Sequence, residues 1–315
     1  VPQKLIIVAD PGIDTTFALA LAFLDPGLDV IGLLATAGNI GHYQATVNVH
    51  TLINQLDPPR WPRLGSAPAV EYELDGAKLH GPDGLGGLNL SASSLHSPPA
   101  SDRILIDLVR QNPKETTVVC LGPLTVLARA LERDPSLPSL VQRFVIVGGA
   151  WHDPGNASAV SEFHFYLDPP AAKRVLRCGA HVTLIPLDVT RKLILSPSDL
   201  LELPAPESTT SQFLRKIVPY GIRASSNLYG IEGLHLKDVM GIAAVVMPSA
   251  LPTQRKCVDV ETRGELTRGM SVVDSRPVPA DRPNVDLVAG ADINAVREYI
   301  MRTLRRGSNG NEDAI

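Results

Sequence analysis

The feature that most limits the fold is a set of short apolar runs without polar alternation, each joined by a turn to a helical pattern. KLIIVAD precedes TTFALALAFL, DVIGLLATAGN precedes YQATVNVHTLINQL, and TTVVCLGP precedes LTVLARALE. RFVIVGGA stands in mid-chain, and HVTLIPLDVT follows DPPAAKRVLRC. A strand with one wet face alternates apolar and polar residues, whereas a strand covered on both faces does not. The runs therefore predict an α/β fold with a doubly wound, mostly parallel central sheet flanked by helices. A length of 315 residues still suits one large α/β unit. We expect a single domain over residues 1–305 and a disordered tail over 306–315, where GSNGNEDAI follows Arg306. Residues 56–101, rich in Pro, Gly and Ser, are expected to loop over the sheet, and residues 203–210 to connect two helical stretches.

Charge narrows the partners. The net charge is −4 with no basic block, which argues against nucleic acid and against an anionic membrane surface. The longest apolar stretches, such as ALALAF and VIGLLATA, are too short to span a bilayer. Cys120, Cys178 and Cys257 are odd in number and lack C-x-x-C spacing, so reduced thiols in a cytoplasmic protein are expected. No signal-like segment precedes the strand that begins at Lys4.

In open α/β sheets ligands bind beyond the carboxyl ends of the strands. Asp10, Asn39, Thr125, Trp151 and Asp188 each follow the end of a predicted strand. Taken singly, each suits a helix cap. Together on one rim they suit a site for a polar small molecule. The stretch LIIVADPGIDTT, residues 5–16, places two carboxylates, Asp10 and Asp14, on that rim with Thr15 beside them.

The chain resembles the inosine-uridine-preferring nucleoside hydrolases from about Lys4 to Leu304. The matching pieces run in order: ADPGID, TAGN at 36–39, HGPDGLGG at 80–87, LGPLT at 121–125 and VGGA at 147–150. GNASAVSEFHFYLDPPAA at 155–172, PLDVT at 186–190, KDVMGIAAVV at 237–246 and TRGELTRGMSVVD at 262–274 complete the set. The resemblance implies a calcium-dependent N-ribohydrolase that cleaves the ribose–nucleobase bond with water, usually as a homodimer or homotetramer. Through it Asp10 becomes the base and a metal ligand, Asp238 a second metal carboxylate, and Thr125 a metal ligand through its carbonyl. Asp14, Asn39, Asn156 and Glu162 become ribose-binding groups, and His80 and Asp83 belong to a flexible loop beside the site. Read without the resemblance, Asp238 suits a helix cap, Asn156 a turn, and His80 a surface loop that need not touch substrate. For nucleobase contact Tyr229, Trp151 and Arg223 are candidates, with either aromatic ring available for stacking.

The family's opening motif, D-x-D-P-G-x-D-D, is altered here: Val8 and Thr15 stand at its first and last carboxylates. Thr15 is a poor metal ligand, and losing one bidentate anion costs about 2–4 kcal/mol, or about 30- to 1,000-fold in calcium affinity. His164 stands at an asparagine position beside the ribose. Lys237 stands where a histidine is the candidate acid for the leaving base, and His235 two residues earlier is its possible substitute. Two functions follow: a ribonucleoside hydrolase with a weakened metal site, or a catalytically silent ribose- or nucleoside-binding protein on the same fold. No G-x-G-x-x-G follows the first strand, which argues against a dinucleotide-binding oxidoreductase.

Overall fold

The computed structural model describes residues 1–90, 98–203, 208–279 and 281–309. Eleven strands occur among them: β1 (Gln3–Ala9), β2 (Leu28–Ala35), β3 (Arg63–Gly65), β4 (Thr116–Leu121), β5 (Arg143–Val147), β6 (Val182–Ile185), β7 (Ile194–Leu195), β8 (Leu234–His235), β9 (Thr253–Val260), β10 (Ser271–Asp274) and β11 (Val285–Val288). Nine form one sheet in the order β10-β9-β11-β6-β5-β4-β1-β2-β3, while β7 and β8 pair separately. From β11 to β3 every neighbour is parallel. Only β9 is antiparallel to its neighbours β10 and β11. The doubly wound sheet expected from the apolar runs is present, with an antiparallel border at one end.

β1 shows why the runs lack alternation. Leu5, Ile7 and Ala9 enter one apolar cluster with Phe17 and Leu21 of helix Ile13–Leu24 and Met240 of helix Val239–Val246. Ile6 and Val8 enter the opposite cluster with Leu108 of helix Ser101–Gln111 and Leu127 of helix Thr125–Arg133. Both faces of the strand are dry, and each fully buried aliphatic side chain contributes about 1.5–3 kcal/mol relative to exposure. Val8, at a motif carboxylate position, is simply one of these core residues.

Two helix ends matter to the cleft. Helix Thr209–Tyr229 starts at Ser208, whose hydroxyl accepts from the Ser211 N–H, and stops at Gly230, whose φ of 66° is left-handed. That glycine stop sets Leu228 and Tyr229 at the last turn. The final helix runs Ile293–Asn309, past the point where the sequence reading begins its tail. Residues 310–315 and residues 204–207 of the 203–210 connector lie outside the described residues.

Candidate active site

The carboxyl ends of the central strands border a cleft of about 190 Å³. Asp14, Asn39, His80, Asn156, Glu162, His164, Thr190, Tyr229, Lys237 and Asp238 line it, with Leu74, Asp75, Lys78 and Leu228 among its other walls. Asp10 lies directly after β1 and is fully buried.

The backbone of Asn39 donates to Asp10 Oδ2 at 3.0 Å, and the Asn39 amide donates to the Asp10 carbonyl at 2.9 Å. This clamp needs glycine at position 38, where a Cβ would stand 2.1 Å from Asp10 Oδ2. Asp10 Oδ1 is buried and has no hydrogen-bond partner among the described residues. Burial pushes the Asp10 carboxyl above its usual range, partly opposed by the charge and hydrogen bonding of His164 and by the Asn39 amide. Asp238 is pushed well up by burial and by the nearby Asp14 and Asp10 charges. The Thr15 hydroxyl donates to Asp238 Oδ2 at 2.6 Å.

Glu162 caps the short helix Phe163–Leu167, its Oε2 accepting from Gly149 N–H at 3.0 Å and Phe165 N–H at 3.1 Å. Asn156 Oδ1 accepts from Phe163 N–H at 2.8 Å, which leaves its amide nitrogen for a ligand. The His164 ring lies between these elements, with Nε2 3.5 Å from Asp10 Oδ2 and Nδ1 3.7 Å from Glu162 Oε1. Burial opposes charge on this ring, but Glu162, Asp10 and Asp238 outweigh burial and push it up to about 10.

His80 departs from the surface-loop reading. It is buried, and its Nδ1 accepts from the Ile13 N–H at 3.1 Å, satisfying one of the open donors at the start of helix Ile13–Leu24. Burial pushes it down to about 4. Its 3.9 Å approach to Asp14 is therefore a contact with a neutral ring and not an ion pair.

Several sequence candidates lie elsewhere. Trp151 does not line the cleft; its ring stacks on His152 at 4.3 Å, with Lys256 5.2 Å from its centroid. The loop that carries it is anchored by Asp188, which accepts the N–H groups of Trp151, His152 and Asp153 at 2.8, 2.7 and 3.1 Å. Asp83 likewise accepts the N–H groups of Leu85, Gly87 and Asn89. Arg223 is exposed and away from the cleft walls. The Thr125 hydroxyl donates to Asp168 Oδ2 at 2.5 Å and meets the Tyr72 hydroxyl at 2.6 Å; these bonds do not involve the carbonyl through which the resemblance makes it a metal ligand. His235 belongs to β8, is not a cleft wall, and is pushed down to about 4 by burial and Lys237. Lys237 is a wall.

The sequence reading missed Thr190, whose buried hydroxyl has no partner among the described residues. It also missed the Leu74, Lys78 and Leu228 walls. Thr190 ends the PLDVT motif, but a motif does not show which of its side chains turns to the ligand.

Calcium takes about six to eight oxygens. Here Asp238 Oδ2 holds the Thr15 proton, Asp10 Oδ2 faces Asn39 and His164, and a ring nitrogen stands among the carboxylates. Among the described residues no group of three or more His, Cys, Asp or Glu is arranged to hold a metal ion. This donor set does not fit a resident calcium ion.

A cleft of buried carboxylates, amides and a lysine at the carboxyl rim of a doubly wound sheet defines a site for a polar, sugar-like ligand. The chain belongs to the family described as inosine-uridine preferring nucleoside hydrolase, which it matches over residues 5–298. It is 32% identical to uridine nucleosidase 1 of Arabidopsis thaliana, with 96% of this chain and 94% of that one covered. Identity is 30% to the pyrimidine-specific ribonucleoside hydrolase RihA of Klebsiella pneumoniae, with 95% and 97% covered. The solved plant nucleoside hydrolase PpNRh1 superposes with a TM-score of 0.91 at 29% identity, covering 97% of this chain and 99% of that one. The chain is accordingly an N-ribohydrolase, an enzyme that hydrolyses the N-glycosidic bond of ribonucleosides.

Proposed function

We propose that Asp10 is the base of this reaction and that the cleft described above is where it occurs. The observation that carries this reading is Asp10 Oδ1, buried directly behind the cleft walls Asn39 and His164 yet without a donor among the described residues. An orphaned acceptor of that kind suits the proton of an attacking water, and its raised pKa strengthens it as a base. As the C1′–N bond breaks and the C1′–O bond forms, positive charge grows on the ribose. Asp14 and Glu162 in the cleft wall stabilise that charge, with Asp10 behind Asn39 and His164. Asn39, Asn156 and Glu162 bind the ribose hydroxyls in this reading, which their positions in the cleft wall support, with Thr190 an added donor. Lys237 offsets negative charge on the departing base, and Tyr229 with Leu228 supplies an apolar wall for its ring.

Uridine is the first substrate to test, since two relatives bear uridine or pyrimidine names. Release of ribose and uracil, lost in Asp10→Asn, supports the reading; no cleavage of any ribonucleoside overturns it. Any divalent ion, calcium included, is held weakly by this donor set. One continuous nine-stranded sheet supports a single folding unit over residues 1–305. The three cysteines are all unpaired, which supports a reducing cytoplasmic setting. Among the described residues no helix is long and apolar enough to cross a membrane. A homodimer or homotetramer is the assembly the family suggests, and sedimentation tests it.

A further inference from the structure

Asp14, Glu162 and Asp238 are buried walls of one cleft, and Asp10 is buried against two further walls, Asn39 and His164. Carboxylates taken out of water are costly unless an opposite charge or strong donors answer them. His80 does not answer them, because its Nδ1 is occupied as an acceptor from Ile13 N–H. Lys237 stands at the cleft wall and makes no ion pair among the described residues. The His164 ring is the group within ion-pair distance of two of the four, at 3.5 Å from Asp10 and 3.7 Å from Glu162.

Its surroundings also hold the ring in place. Nδ1 lies 3.2 Å from the Val147 carbonyl, which has no proton to give, and Nε2 faces the Asp10 carboxylate. The ring thus fills the space between the Asp10 and Glu162 carboxyl groups. Nearby, the Thr15 hydroxyl closes Asp238 Oδ2. Positions 15 and 164 are both departures from the family motif, and both act on this one cluster.

We propose that this chain hydrolyses ribonucleosides without a resident divalent metal ion, the His164 ring occupying the space between Asp10 and Glu162 and Thr15 standing in place of a carboxylate. The proposal rests on the hydrolase reading above. His164 is a positioning residue: it offsets the carboxylates and faces Asp10 Oδ2, so that Oδ1 remains for the water.

The test uses the full chain, stripped with EDTA and passed over chelating resin. Metal content is read by mass spectrometry, calcium binding by calorimetry, and cleavage of uridine and inosine with EDTA or with millimolar calcium. We expect less than about a tenth of an ion per chain, only weak calcium binding by calorimetry, and rates equal within about twofold in the two buffers. The variant Thr15→Asp with His164→Asn removes the ring and restores a carboxylate. It should bind calcium and depend on it, gaining about 30-fold or more in affinity.

A stoichiometric divalent ion in the unmodified protein, tight calcium heat, or an EDTA loss that calcium restores would overturn the proposal. If the double variant does not fold by circular dichroism, the metal content and calorimetry of the unmodified chain decide alone. If neither nucleoside is cleaved in either buffer, the hydrolase reading fails, and the same two measurements still decide whether the cluster holds an ion.

Discussion

Asp10 and Asp188 both follow strand ends on the same rim, yet their surroundings are opposite. Asp188 gathers three backbone N–H groups from residues 151–153, and its pKa is lowered: burial raises it, but those donors outweigh burial. Asp10 receives one backbone N–H, faces a histidine ring, keeps one oxygen without a partner, and is raised. A carboxylate whose oxygens are all answered by the backbone is an anchor. One that is buried with an oxygen to spare is available for chemistry. Asp83 falls with Asp188, and Asp238, with Thr15 on one oxygen, falls with Asp10.

The contrast orders the expected effects of substitution. Asp10→Asn should lower uridine turnover by about 10² or more, measured by ribose release, and near-normal turnover would erase the distinction. Asp188→Ala strips three N–H groups of their acceptor and should destabilise the fold by about 2–3 kcal/mol. Chemical denaturation reads that loss, and the variant that still folds should keep most of its turnover.

Lys237→Met should lower turnover by about tenfold, because the cleft wall loses its positive charge. His235→Ala should leave the pH–rate profile unchanged, since His235 lies off the cleft and is pushed down to about 4. A limb near pH ~6.5 that disappears in that variant would reassign the acid.

The smallest effect concerns a carboxylate far from the contrast. Asp134 is lowered to about 2, chiefly by hydrogen bonds from Arg110 and Ser136. A depressed folded pKa means its stabilisation is complete above the ordinary value of 3.8 and fades as pH falls through about 2. The Arg110 partner is largely exposed, so solvent screening leaves the pair only a small contribution. The acid limb of the melting curve in Asp134→Asn should lose only that much.

The sheet was legible because dry strands such as LIIVA leave an unmistakable pattern in sequence. The border strand β9, TQRKCVDV, was not, since half-exposed charged residues mask its strand character. The carboxylates at 10, 14 and 238 were legible through motif order. What each oxygen meets was not, because the partners come from distant segments: Thr15 with Asp238, and His164 with Asp10. His80 read as a surface histidine because its Gly-rich neighbours look like a loop, whereas tertiary packing buries it over the start of a helix. Trp151 read as a stacking ring because it follows β5, but Asp188 draws its loop away from the cleft walls.

The most direct measurement sets turnover beside melting temperature for Asp10→Asn and Asp188→Ala. The division of the rim predicts that Asp10→Asn loses about 10² in turnover while melting close to the unmodified protein. Asp188→Ala should melt several degrees lower, about 4 °C or more, and retain most of its turnover. An Asp188→Ala protein that melts normally but cannot cleave uridine, beside an Asp10→Asn protein that cleaves it well, would contradict the account.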